Sequence, residues 1–219
     1  MTRTAITGAA SGIGAATVDR LKAEGHHVTA FDIQEPRNVD RWIAVDMADP
    51  DAIRNAARQA EGPFDVLINN AGLPPREGFS DKILAVNALG LVTMVEALLP
   101  GLAPGAAIVS TASRAGARWA ENIDQIRALL ALQDPSELPG FIAAHDISPV
   151  RAYDLSKEAV IAWTKANTER LFALDIRANT VSPAAVDTGI LEDFVTAFGE
   201  RATRAMARTG GAGRPEDIA

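Results

Sequence analysis

A glycine-rich turn near the start of the chain is the feature that most constrains its fold. An apolar, strand-like segment, residues 4–6, leads into Thr7-Gly8-Ala9-Ala10-Ser11-Gly12-Ile13-Gly14, and a helical pattern over residues 15–23 leads out. Glycines allow a tight turn and a close approach of the backbone to a pyrophosphate, while amides at the helix start attract its negative charge. This context favours a dinucleotide site over an ordinary strand-to-helix turn.

Strand and helix patterns alternate through the rest of the chain. Strand patterns occupy residues 3–7, 27–31, 41–45, 64–69, 105–111 and 176–181. Helical patterns, with apolar residues three and four apart, occupy residues 13–24, 50–60, 80–99 and 152–173. The alternation predicts an α/β fold, a doubly wound parallel sheet of the Rossmann type. A ligand is then expected at the carboxyl ends of the strands, where the strand order reverses.

Composition limits the class of protein. A chain of 219 residues with 47% hydrophobic content is expected to form a single domain, residues 1–219, with a sizeable core. The absence of cysteine excludes a disulfide framework and a thiolate metal site, and suits a reducing cytoplasm. No metal site is predicted. The net charge of −7 argues against a nucleic-acid partner. No signal-like segment and no apolar run of ~18 residues is expected, which argues against a membrane partner.

Tyr153 and Lys157 form the second informative pattern. They lie one helical turn apart in Tyr-Asp-Leu-Ser-Lys, and residues at this spacing share a helix face. The ammonium is therefore expected to favour the ionised phenol and to lower a pKa that is ordinarily near ~10. By itself the pattern is weak, because a tyrosine and a lysine often occur at this spacing on exposed helices.

Two more motifs lie between these patterns. Asn69-Asn70-Ala71-Gly72 follows an apolar strand, and residues 108–116 form an apolar strand that ends in Ser-Thr-Ala-Ser-Arg-Ala-Gly. Together the four ordered motifs resemble the short-chain dehydrogenase/reductase family over essentially the whole chain. The resemblance implies an oxidoreductase that interconverts an alcohol and a carbonyl by hydride transfer.

The resemblance also implies the catalytic residues. Hydride transfer leaves charge on the carbonyl oxygen, which needs a proton donor and a second hydrogen bond. Tyr153 and Ser113 would supply them. Ser113 is favoured over Ser110 and Thr111 because it precedes Arg-Ala-Gly. Asn87, within Val-Asn-Ala-Leu-Gly, would anchor a water that relays protons.

The predicted cofactor is NAD. Asp32 ends the second strand, 18 residues after Gly14, where its carboxylate would accept hydrogen bonds from the ribose and repel a 2′-phosphate, although Arg37 lies close in sequence. Asp46 matches the position that meets the adenine amine in the family. The full set of expected cofactor contacts is Gly8, Ser11, Gly12, Ile13, Gly14, Asp32, Asp46, Asn70, Ala71, Gly72, Tyr153, Lys157, Pro183, Val186 and Thr188, with Lys157 on the nicotinamide ribose.

The segment after the last strand resembles the family's nicotinamide loop and substrate lid. Residues 179–188 match its pattern except that Ala184 replaces a glycine, so the path of the loop is expected to differ slightly. The amide of Val186 and the hydroxyl of Thr188 would hold the carboxamide. Residues 189–210 would form lid helices. Leu73 and Leu191, with Ser113 and Tyr153, are the expected substrate contacts.

Two departures from the family pattern are clear. Ser113 and Tyr153 are 40 residues apart, much further than usual, so residues 117–149 are interpreted as a helical insertion with one helix near 123–132. A long insertion here resembles the branch of bacterial 3α-hydroxysteroid dehydrogenase/carbonyl reductase and coniferyl-alcohol dehydrogenases. It would border the cleft or, as we favour, cover a helix face used for association. Trp119, His145 and Arg118, in the insertion, are assigned no catalytic role.

The second departure concerns residues 213–219. They resemble a point where the family continues into another helix and a final strand that contributes to dimerisation. A homo-oligomer, dimer or tetramer, is nevertheless expected from the family.

The leading functional hypothesis is an NAD-dependent dehydrogenase of a ring-bearing or otherwise apolar alcohol, a small molecule of the hydroxysteroid or aryl alcohol class. One alternative is a family member acting on a polyol or sugar. Another is a non-catalytic protein that senses a dinucleotide.

Overall fold

A six-stranded parallel sheet forms the centre of the molecule in the computed structural model, which describes residues Met1 to Ala219. The strands are β1 (Arg3–Thr7), β2 (His27–Asp32), β3 (Arg41–Ala44), β4 (Phe64–Asn69), β5 (Leu102–Thr111) and β6 (Arg177–Val181). Their order is β3-β2-β1-β4-β5-β6, so the direction of winding reverses between β1 and β4. The prediction of a doubly wound Rossmann fold is confirmed.

Ten α-helices connect and flank the strands. They are α1 (Gly12–Ala23), α2 (Pro50–Gln59), α3 (Ser80–Leu84), α4 (Leu91–Leu98), α5 (Ile123–Leu130), α6 (Leu138–Ala144), α7 (Pro149–Ala166), α8 (Thr168–Phe172), α9 (Leu191–Phe198) and α10 (Glu200–Thr209). A π-helical turn, Ala85–Gly90, joins α3 to α4. The helix expected over 152–173 begins earlier, because Ser148 caps α7 and Pro149 occupies its first turn, and it divides at Asn167.

Alternation of side chains along the strands builds a core on each face of the sheet. In β1, Ala5 belongs to the cluster that packs under α2, α4 and α7, whereas Ile6 belongs to the cluster under α1. The same division separates Phe31 from Val28 in β2. Burial on both faces is the reason why these strands read as nearly continuous apolar runs.

One helical stretch was misjudged from the sequence. Ser80–Gly101 is long and apolar enough to cross a membrane by length and composition, although no such run was expected. Within its most apolar window, 61% of the residues are buried inside the protein. Such burial is typical of a core helix.

Helices α5 and α6 lie within the segment interpreted as an insertion. They share a core cluster with α3 and α7, to which they contribute Ile126, Leu129, Leu138 and Phe141. None of residues 117–149 lines the large cleft described below. The segment therefore packs on α3 and α7 and does not border the cleft, while the use of this helix face for association stays a prediction.

Candidate active site

The glycine turn brings the backbone of β1 against the end of β4. Gly8 and Gly12 have φ angles of +68° and +54°, which favour glycine. A Cβ atom on Gly8 would lie 2.5 Å from Cα of Ala71, so no larger residue fits there without movement of the backbone. Ser11 makes no side-chain capping hydrogen bond, so the first amides of α1 stay available for an anion.

Hydrogen bonds fix this turn to the Asn-Asn-Ala-Gly motif. Oγ1 of Thr7 accepts from the amides of Asn70 and Ala71, each at 3.1 Å. Nδ2 of Asn70 donates to the carbonyl of Gly8 at 2.9 Å. The two loops that meet where the strand order reverses are thus joined directly, and the cradle between them fits a dinucleotide pyrophosphate.

Asp32 anchors the same turn from the end of β2. Its Oδ2 accepts from the amide of Ala10 at 2.9 Å and its Oδ1 from the amide of Gln34 at 3.0 Å. Asp32 and Asp46 line the cleft, as does the exposed Ile33, whereas Arg37 does not. The carboxylate of Asp32 therefore faces the end of the cleft where the adenosine is expected, and Arg37 does not line the cleft beside it.

Tyr153 lies buried at the other end of the cleft. Its ring meets the ring of Phe194 edge-on, with centroids 5.0 Å apart, and the ring of Phe198 at 6.1 Å. Burial raises the pKa of Tyr153 to about 12, which an interaction with the Ser113 hydroxyl opposes and the charge of Asp154 reinforces. The expected lowering of this pKa by Lys157 is not found, because burial of the phenol is the largest influence and raises the pKa.

Lys157 is buried behind the tyrosine. Its Nζ donates to the carbonyl of Thr111 at 2.8 Å and lies 5.9 Å from the centroid of the Tyr153 ring. Burial lowers the pKa of Lys157 to about 8, so the amine holds its proton weakly near neutral pH. The ammonium of Lys157 is thus placed by the end of β5.

Asn87 lies in the π-helical turn and is completely buried. Its Oδ1 accepts from the amide of Leu73 at 2.7 Å, while its Nδ2 donates to the carbonyl of Leu73 at 3.0 Å and to Oγ of Ser156 at 3.2 Å. A Cβ atom on Gly72 would lie 3.4 Å from Oδ1 of Asn87 and 3.5 Å from Nζ of Lys157. Asn87 therefore holds the chain after β4 and does not itself line the cleft.

A single large cleft of about 990 Å³ joins these groups. The predicted site residues that line it are Gly8, Ser11, Gly12, Ile13, Asp32, Asp46, Asn70, Ala71, Gly72, Leu73, Ser113, Tyr153, Lys157, Pro183, Val186 and Thr188. Three predicted residues do not line it. Asn87 is buried behind the wall, Gly14 is packed against Gly8, and Leu191 lies off the helix face that turns Ile190, Phe194 and Phe198 inward.

The loop after β6, which was expected to hold the nicotinamide, reaches the glycine turn through Thr188. A Cβ atom on Gly12 would lie 3.2 Å from Cγ2 of Thr188. The loop is held by a parallel bridge between Val186 and Gly213. Ala184 does not adopt a positive φ angle, so alanine is accommodated here without the conformation that favours glycine.

Comparison with known proteins decides the family. The family described as "short chain dehydrogenase" matches residues 3–123, and the one described as "Enoyl-(Acyl carrier protein) reductase" matches residues 140–219. The first match covers more than half of the chain. The chain belongs to the short-chain dehydrogenase family. It is an oxidoreductase of a family that binds NAD(P).

Three relatives within the short-chain dehydrogenase family are informative. The chain is 34% identical over 206 residues to coniferyl-alcohol dehydrogenase of Pseudomonas sp. (strain HR199), covering 92% of this chain and 80% of the relative. It is 26% identical to 3-alpha-hydroxysteroid dehydrogenase/carbonyl reductase of Comamonas testosteroni, covering 98% and 85%. The crystal structure of 3-alpha-hydroxysteroid dehydrogenase from Pseudomonas sp. B-0831 complexed with NADH superimposes with a TM-score of 0.84 at 26% identity, covering 99% and 86%.

One feature of this short-chain dehydrogenase was missed by sequence reasoning. Arg201, on α10, pairs with Asp154, which directly follows Tyr153 in α7. Phe198 lines the cleft beside Tyr153, although the expected substrate contacts were only Leu73, Leu191, Ser113 and Tyr153. The position of Asp154 next to the motif tyrosine was the available signal, but its partner is 47 residues away and only the tertiary structure brings the two together.

Proposed function

We propose that the protein is an NAD-dependent alcohol dehydrogenase, operating reversibly as a carbonyl reductase, for a ring-bearing or otherwise apolar alcohol. One observation carries the proposal. Tyr153, Ser113 and Lys157 line the same cleft as the glycine turn, and the rings of Phe194 and Phe198 lie against Tyr153. The cleft thus combines a dinucleotide cradle with the phenol of Tyr153, the hydroxyl of Ser113 and the ammonium of Lys157.

The chemistry follows from these positions. When bound, the nicotinamide supplies the acceptor or donor of the hydride. Ser113 would donate a hydrogen bond to the substrate oxygen, while Tyr153 would remove its proton during oxidation and return it during reduction. Lys157 would donate to the nicotinamide ribose and stabilise the phenolate. The rings of Phe194 and Phe198 exclude water from the phenol, which strengthens each of these polar interactions.

The charge at the end of β2 supports NAD over NADP. Asp32 lines the cleft with its carboxylate bonded only to backbone amides, and Arg37 is not a lining residue. A 2′-phosphate here would meet a negative charge. The presence of NADH in the similar hydroxysteroid dehydrogenase structure agrees with this assignment.

The wall of the cleft supports an apolar substrate. More than half of its lining residues are hydrophobic, including Leu73, Ile190, Phe194 and Phe198, and the cations Lys82, Arg114, Arg201, Arg204 and Arg208 line it as well. The relatives named for coniferyl alcohol and a 3-alpha-hydroxysteroid act on ring-bearing alcohols. We also propose a cytoplasmic location, since a chain without cysteine has no disulfide chemistry.

Turnover with a substrate panel tests the proposal. Reduction of NAD and, in parallel, of NADP is measured with a 3α-hydroxysteroid, coniferyl alcohol, a simple aryl alcohol and a polyol. We expect NAD reduction with at least one ring-bearing alcohol, and a loss of about 100-fold or more in Tyr153→Phe, since proton transfer by a placed side chain contributes that much.

Binding of NADH by Tyr153→Phe serves as the control and should be retained. Turnover with the polyol alone would instead support a sugar or polyol dehydrogenase. An enzyme that binds NADH but turns over none of the panel, whether wild type or mutant, would contradict the proposal and favour a dinucleotide sensor.

A further inference from the structure

The lid makes one charged contact with the catalytic helix, directly beside its tyrosine. Nη1 of Arg201 donates to Oδ2 of Asp154 at 3.0 Å. The same guanidinium lies 4.8 Å from the centroid of the Phe198 ring, which in turn meets Tyr153 edge-on. One arginine of α10 therefore contacts both the aromatic cover of the tyrosine and the carboxylate that follows it.

Asp154 is poorly compensated apart from this contact. Its side chain is only 17% exposed, and its Oδ1 is buried without a hydrogen-bond partner in the protein. Burial raises the pKa of Asp154, and the hydrogen bond from Arg201 is the main opposing influence. The other charges near it are Arg151 and Glu158 of the same helix, which pair with each other, and Arg118, which pairs with Glu121. Asp154 thus depends on the lid for a counter-ion.

We propose that Arg201 and Asp154 are positioning residues whose ion pair couples closure of the lid to proton transfer by Tyr153. This inference rests on the proposed function of the same site. With the lid closed, the pair beside the phenol is neutral overall. When α10 moves away, the carboxylate remains alone next to Tyr153 and opposes formation of the phenolate. The ion pair therefore removes the opposition of the Asp154 charge at a phenol that burial under Phe194 and Phe198 already favours in its neutral form.

A second ion pair provides a matched control. Arg76 forms two hydrogen bonds with Asp193 of α9, at 2.9 and 2.7 Å, and so also holds the lid to the body of the protein. Neither residue contributes to the pKa of Tyr153. Loss of this pair should loosen the lid without a direct electrostatic effect on the tyrosine.

Tyr153 is the single tyrosine of the chain, which permits a direct test. Protein labelled with ¹³C at the tyrosine ζ carbon is titrated by NMR, over the alkaline range in which circular dichroism shows each variant folded. At a fixed alkaline pH, we expect less phenolate than wild type in Arg201→Gln, because Asp154 is left uncompensated. We expect more phenolate in Asp154→Asn, because a positive charge is left, and a near wild-type fraction in the double variant and in Arg76→Gln.

Hydrogen exchange of α9 and α10 reports the lid independently. We expect exchange at least about threefold faster in Arg201→Gln, Asp154→Asn and Arg76→Gln, with partial recovery in Arg201→Lys. Equal shifts of the tyrosine titration in Arg201→Gln and Asp154→Asn, or a shift in Arg76→Gln as large as theirs, would overturn the proposal. Unchanged hydrogen exchange in both Arg201→Gln and Asp154→Asn would overturn it as well.

Neither measurement needs a substrate, so the role of the Arg201–Asp154 ion pair is tested even if the proposed dehydrogenase activity fails. If the enzyme turns over, the limb on which the oxidation rate rises with pH, which reports the base, should move to higher pH in Arg201→Gln and to lower pH in Asp154→Asn. Limbs that move together would contradict the coupling.

Discussion

Gly14 shows how strongly single residues constrain the cofactor end of the cleft. It is a helical residue, yet a Cβ atom on it would lie 1.8 Å from the carbonyl oxygen of Gly8 and 2.7 Å from Nδ2 of Asn70. The glycine lets α1 start directly against the turn that precedes it. Its part in the motif is therefore close packing, whereas Gly8 and Gly12 provide the backbone angles of the turn.

Gly14→Ala should destabilise the protein by about 1–3 kcal/mol, since the methyl group has no space and the backbone must shift. The matched control is Gly140→Ala in α6, where nothing lies within 4 Å of the added carbon. That change should stabilise by up to about 1 kcal/mol, because alanine favours a helix interior. Free energies of unfolding from urea titrations check both. A Gly14→Ala protein as stable as wild type would show that the turn relaxes readily.

At the scale of elements, the insertion is fastened to the catalytic helix through a buried carboxylate. Glu158 follows Lys157 in α7, and its side chain is only 2% exposed. Its oxygens accept from Arg151 at 2.8 Å and from Asn122, just before α5, at 2.9 Å. Arg151 also binds Gln125 of α5. These bonds tie α5 to the helix that carries Tyr153.

Arg151→Met should cost about 3 kcal/mol, because it leaves the carboxylate of Glu158 buried without its cation. Arg127→Met in α5 is the control. That arginine is 75% exposed and 3.9 Å from Asp124, so its loss should cost less than about 0.5 kcal/mol. Urea unfolding of the two variants checks the difference. Similar stabilities would mean that the hydrogen bonds left to Glu158 are sufficient without Arg151.

At the scale of the whole molecule, the cofactor cleft joins loops from both halves of the sheet. The glycine turn after β1, Asp32 after β2 and the loop after β6 all line it. A ligand held by all three binds the folded chain and not the unfolded one. Its affinity therefore adds to the stability of the entire domain.

NADH at 100 times its dissociation constant should stabilise the fold by about 2.7 kcal/mol, and an equal concentration of NADPH should stabilise it less. Thermal unfolding with each nucleotide measures the difference. Asp32→Asn keeps one oxygen for the amide of Ala10 but removes the charge. It should reduce the difference between the stabilisation by NADH and the stabilisation by NADPH. Asp46→Asn should weaken both equally. An unchanged difference between the two nucleotides in Asp32→Asn would contradict the role of Asp32 in selecting NAD.

The order of strands and helices was predictable because it depends on residue patterns within short segments of the chain. Apolar runs and glycine, proline and serine signals mark each strand and most helix boundaries, and the order of four motifs identified the family before any contact was known. Two predictions were wrong, for different reasons. Ser80–Gly101 was not counted as an apolar run of membrane length, although its hydropathy can be read along the chain. Leu191 was placed in the cleft through the resemblance to the family's lid, and only the tertiary structure shows which side of α9 faces inward.

The sequence by itself determined the fold, the family and the motifs that carry the proposed catalytic residues, because these depend on residue type and spacing along the chain. The electrostatics of the site were decided only by tertiary structure. Phe194 and Phe198 bury Tyr153, so its pKa rises although Lys157 is one turn away. Arg201 meets Asp154 only because α10 folds back over α7. Solvent exclusion and charge pairing depend on distances in space, which spacing in the sequence does not encode.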